Sequence, residues 1–131
     1  MRATFLVALL LASRWAVAAP CDSVKLGFSE PQKTQWATSI AEQLRVPQVK
    51  VLQSFSASDW RIVYVETPSA DPAFLFFHGT PETARYVTSW SGAARADEEA
   101  RIRSWATTNA PGIPSNLAAC FAWYVTAGRR L

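Results

Sequence analysis

The stretch Trp60-Arg61-Ile62-Val63-Tyr64-Val65-Glu66 is rich in β-branched and aromatic residues and reads as a strand. Beyond a loop from Pro68 to Pro72, Ala73-Phe74-Leu75-Phe76-Phe77-His78 repeats that chemistry. Upstream, Val49, Val51 and Phe55 alternate with polar residues, and Ser56-Ala57-Ser58-Asp59 joins that strand to Trp60 as a hairpin connection. Downstream, Gly79-Thr80-Pro81-Glu82 leads to a fourth strand over Thr83 to Ser91; Gly79 supplies turn freedom and Pro81 fixes φ. Connections this short favour an antiparallel meander over parallel crossovers, which need about a dozen residues or more.

The flanks change period. Ser29-Glu30-Pro31-Gln32 is a helix start: Ser29 can cap, Pro31 is tolerated in the first turn and Gln32 completes a capping box. Trp36, Ile40 and Leu44 then recur four apart, and Pro47 stops the helix near Arg45. Ala93 to Thr108 returns to helical spacing with Ile102, Trp105 and Ala106 on one side. The Asn109 to Pro114 loop breaks it. From Pro114, Leu117, Cys120, Phe121 and Tyr124 keep helix spacing and Gly128 stands in C-cap position, although Phe121 to Thr126 could equally be a strand; we read it as helix.

The expected fold is α+β, in the order α-β-β-β-β-α-α: a four-stranded antiparallel meander with one N-terminal and two C-terminal helices, the helices packed on one sheet face. A sheet wet on its other side should alternate cleanly. These strands do not, because Tyr64 and Val65, Phe76 and Phe77, and Tyr86 and Val87 put bulk on both faces. Either helices cover both faces or an aromatic patch is exposed, and the bulk favours coverage for most of it.

The first residues carry a different signal. Met1-Arg2, an apolar run from Ala3 to Ala12, and Ala16-Val17-Ala18-Ala19 are the three parts of a secretory signal peptide, with cleavage expected after Ala18. The expected organisation is thus a leader over 1–18 and a single α+β domain over 19–131. Of 13 basic residues, Arg2 and Arg14 lie in the leader, leaving 11 against 10 acidic ones. That balance gives no support for nucleic-acid binding. Nor is the apolar run long enough to span a bilayer. Cys21 and Cys120 are the only cysteines, and in an oxidising compartment such a pair is expected to form one structural disulfide. Arginine outnumbers lysine, as in GC-rich bacterial genomes, so the expected location is the periplasm or the medium.

Chemistry-bearing motifs are scarce. A single histidine rules out a multi-His zinc site, and no GxGxxG, Walker, HExxH, GxSxG or EF-hand pattern occurs. No cofactor or metal is expected. His78 is the weak catalytic candidate, with Thr80, Glu82, Arg85, Asp59 and Asp71 as the groups that could accompany it. Five tryptophans follow the leader, at 36, 60, 90, 105 and 123. Trp90, with Arg85 and Tyr86, is the expected binding group, since Trp, Tyr and Arg anchor binding surfaces. The functional expectation is an exported, non-enzymatic binding or inhibitor-type module. Its partner would be a protein in the envelope or outside the cell, not nucleic acid, and the chain would be free of the membrane once the leader is removed. The alternatives are a small secreted hydrolase using His78, or a structural subunit of an envelope assembly.

Overall fold

The structure, a computed structural model, describes residues 19–130. The expected leader, at 1–18, lies outside them. Lys25–Leu26 forms a two-residue strand, β1, ahead of helix α1 at Glu30–Leu44. Ser29 and Gln32 close the expected capping box, and Arg45 ends α1 in the left-handed region at φ 55°. The meander follows as β2 (Lys50–Ala57), β3 (Trp60–Glu66), β4 (Ala73–His78) and β5 (Thr88–Ser91). Helices α2 (Glu99–Asn109) and α3 (Ser115–Thr126) complete the fold.

The sheet is antiparallel with five strands in the order β1-β2-β3-β4-β5, and not the four expected. The extra strand pairs Lys25 with Ser56 and Leu26 with Phe55; two residues are too few to show a period. β5 is shorter than the Thr83 to Ser91 expected. Pro81 is buried, and the Gln43 side chain of α1 ties down the backbone at Pro81, Ala84 and Tyr86, so this segment packs on the helix instead of joining the ladder. The helix expected from Ala93 begins later because Arg95 is extended (φ −87°, ψ 156°) and its N–H donates to the Glu98 carboxylate; a short 3-10 turn over Ala96–Glu98 then leads into α2.

Phe121 to Thr126 is helical. Leu117, Phe121 and Val125 are fully buried one turn apart, and the Thr126 hydroxyl donates to the Ala122 carbonyl at 2.8 Å. That recurrence points one apolar stripe at the sheet.

Helices lie on both sheet faces. α1 covers Val51, Val63, Val65, Leu75 and Phe77 with Trp36 and Ile40. α2 and α3 cover Phe55, Ile62, Phe74 and Phe76 with Ile102, Leu117 and Phe121. Bulk on both sides of β3 and β4 is thus spent on two cores sharing one sheet. A disulfide joins Cys21, ahead of β1, to Cys120 in the buried side of α3. No described helix is long and apolar enough to cross a membrane.

Candidate functional site

Strand register builds a row across the α3 face of the sheet. Gln53 pairs with Tyr64, Tyr64 with Phe74, and Phe74 with Trp90, so four strands contribute one residue each. The Tyr64 and Phe74 rings stack at 4.1 Å and 8°. Phe121 and Tyr124 descend from α3 edge-on to Phe74, at 5.2 and 5.9 Å. Phe74 is fully enclosed, whereas Tyr64, Trp90 and Tyr124 are half-buried, and the row emerges toward solvent at its ends.

The C-terminal tail crosses this row. After α3 the chain passes Gly128, where a Cβ would stand 2.6 Å from the Trp123 ring, so the close turn demands glycine. It sets Arg129 above two rings, the guanidinium carbon 5.7 Å from Trp90 and 5.8 Å from Phe74. Such a placement gains cation–π attraction. Its Nη2 donates to the Gly92 carbonyl. Burial first, then the Tyr64 phenol, pushes the Tyr124 phenol above its ordinary range, against an opposing pull from Arg129.

Beside Arg129 opens a cleft of about 540 Å³ lined by Tyr64, Asp71, Pro72, Gly92, Ala93 and Arg129. It brings together a phenol, a carboxylate and a guanidinium against apolar walls. Among the described residues, neither Asp71 nor Arg129 belongs to an ion pair.

The expected binding residues are not gathered into one patch. Trp90 packs on the α3 face, Tyr86 packs against the α1 face, and Arg85 is exposed. Trp90's close companion is Arg129, one of an Arg129-Arg130 pair that carries no sequence pattern. A glycine that lets the tail fold back was its one available signal.

His78 stands at the end of β4, opposite Trp60 in the register. Its Nε2 lies 2.7 Å from Asp59 Oδ2, and its ring stacks on Trp60 at 4.7 Å and 7°. The His78 hydrogen bond, then a backbone bond, holds the Asp59 carboxyl below its ordinary range. A carboxylate therefore orients this histidine, as a general base requires. Yet the side chains are 56% and 71% exposed, so the dyad is an open strand end and not an enclosed cleft. Among the described residues no hydroxyl hydrogen-bonds to His78; Thr80 and Thr83 bond each other at 2.9 Å. Glu82 bears on Arg61 and Asp71 lies in the cleft by Arg129, so of the expected companions only Asp59 meets His78. No cluster of His, Cys, Asp and Glu suited to a metal occurs among the described residues.

Compared with known proteins, the chain matches no family model, no curated protein and no solved structure.

Proposed function

We propose that the protein is a non-enzymatic binding module of inhibitor type, exported to the periplasm or the medium, which holds a protein or ligand at the Trp90 and Arg129 end of its sheet. The carrying observation is the cleft lined by Tyr64, Asp71 and Arg129 beside a half-buried tryptophan. Aromatic and arginine side chains fixed in place lose little entropy on binding and supply large contact area. The Cys21–Cys120 bond is compatible with an oxidising compartment.

The test is affinity capture from periplasmic and culture-supernatant fractions with the protein and with its Trp90→Ala form. The module reading expects a partner retained by the first and lost by the second. Identical capture by both, or none by either, defeats the reading of that end as a protein-binding surface.

A second reading has its own observation: the 2.7 Å contact between Asp59 and His78 favours a small hydrolase. Ester or peptide turnover abolished by His78→Ala would carry that assignment. Its exposed setting supports it less, because hydrolysis gains most where water is excluded around oriented groups.

A further inference from the structure

The cleft beside Arg129 has an unusual charge arrangement. Asp71 and Arg129 both line it, yet no ion pair joins them, so their charged atoms stand more than 4.0 Å apart across one opening. Arg129 is held away from closing the gap by its contacts with Trp90 and Phe74 and its hydrogen bond to the Gly92 carbonyl. One of the five guanidinium N–H donors bonds Gly92, and among the described residues no other hydrogen bond or ion pair engages the rest, which suit a planar acceptor such as a carboxylate.

The two formal charges cancel. A net anion would meet Arg129 and be repelled by Asp71; a net cation would suffer the reverse. A small molecule carrying both signs close together, with the carboxylate toward Arg129 and the ammonium toward Asp71, gains from each. The remaining walls, Tyr64, Pro72 and Ala93, offer apolar surface for a side chain. The volume of about 540 Å³ lies inside the range of roughly 300–1,000 Å³ common to small-molecule sites.

We propose that this cleft binds a free α-amino acid in its zwitterionic form, with an apolar or aromatic side chain laid against Tyr64 and Pro72. This rests on the reading of the Trp90 and Arg129 end as a binding surface and names the ligand class that it takes.

The experiment is an amide NMR titration near neutral pH with four probes: L-phenylalanine, L-phenylalaninamide, N-acetyl-L-phenylalanine and glucose. L-Phenylalanine is expected to shift Asp71, Gly92 and Ala93 saturably. Loss of either charge from the ligand is expected to weaken binding by about tenfold or more, as removal of one charged hydrogen-bonding partner does. Arg129→Met, which keeps an unbranched stem without the charge, and Asp71→Asn, at an exposed position, are expected to weaken L-phenylalanine binding similarly. Equal affinity for the N-acetyl compound would make this an anion site, and equal affinity for the amide a cation site. A response to glucose alone would make it a polyol site. Each of these outcomes, or no shift with any probe, overturns the zwitterion. Partner capture that depends on Trp90 is read separately, so the module reading stands or falls on its own measurement.

Discussion

Gln43 of α1 and Tyr86 of the loop before β5 are joined by a hydrogen bond of 3.0 Å, the Tyr86 N–H donating to Oε1. The same amide donates through Nε2 to the carbonyls of Pro81 and Ala84, each at 2.9 Å. One side chain thus satisfies three backbone groups of a segment far away in sequence. Gln43→Ala is expected to destabilise the fold by about 1–3 kcal/mol, since it strands partly buried polar groups, with urea unfolding as the measurement. Gln43→Glu keeps the acceptor but sets a carboxylate against two carbonyls, so it should not restore stability. In both variants, amide exchange is expected to quicken over residues 82–87 first.

Asp59 and His78 predict a pH effect of definite sign. The folded Asp59 carboxyl titrates below its ordinary range, chiefly through the His78 hydrogen bond, so the folded state favours the ionised form. That contribution is fully present above the unfolded carboxyl's pKa and is lost as pH falls through the lower folded value. Carboxyl NMR titration should place Asp59 low in the native protein and return it toward the ordinary range in His78→Ala. An unchanged Asp59 titration in that variant would contradict the geometry.

How much of this was readable beforehand follows from the range of each interaction. The α1 start was legible because Ser29 and Gln32 are three residues apart and cap each other without outside help. β3 and β4 were legible because their composition is local evidence. The start of β5 was not, since Gln43 decides it across 43 residues of chain. Nor was β1, which exists only because β2 offers a partner at Phe55 and Ser56. At the candidate site, Trp90 could be singled out by type, but its face follows from register with Phe74 and its cation from the tail turning at Gly128. His78 and Asp59 were both visible as chemistry; only the β3–β4 register, pairing Trp60 with His78, brings them together.

The disulfide gives a stability prediction. Cys21 and Cys120 are 99 residues apart in sequence, so the bond closes most of the described chain into one loop. Cys21→Ala/Cys120→Ala, which leaves no buried thiol, is expected to lose about 2–5 kcal/mol relative to the oxidised protein. Calorimetry with and without reductant checks it: reductant should lower the Tm of the parent protein and leave the double variant unmoved.

Arg61 is the least economical residue of the α1 core. Its guanidinium lies 4.5 Å over the Trp36 ring and donates from Nη1 to the Ser54 hydroxyl at 3.1 Å. Its Nε, however, is buried without a hydrogen-bond partner, and no carboxylate forms an ion pair with it among the described residues. Burial pulls its pKa below the usual arginine range, with Glu82 opposing from a distance. Removing a polar partner and its contacts is costly, but replacing both partners with apolar groups of similar shape is often neutral or better. Arg61→Ala is therefore expected to destabilise by about 1–3 kcal/mol, through lost packing on Trp36 and a buried Ser54 hydroxyl left without its donor. Arg61→Met with Ser54→Ala fills the space and removes both polar groups, and it should unfold at the native urea midpoint or above it. A double variant as unstable as Arg61→Ala would show that the charge over Trp36 stabilises the fold by more than its desolvation costs.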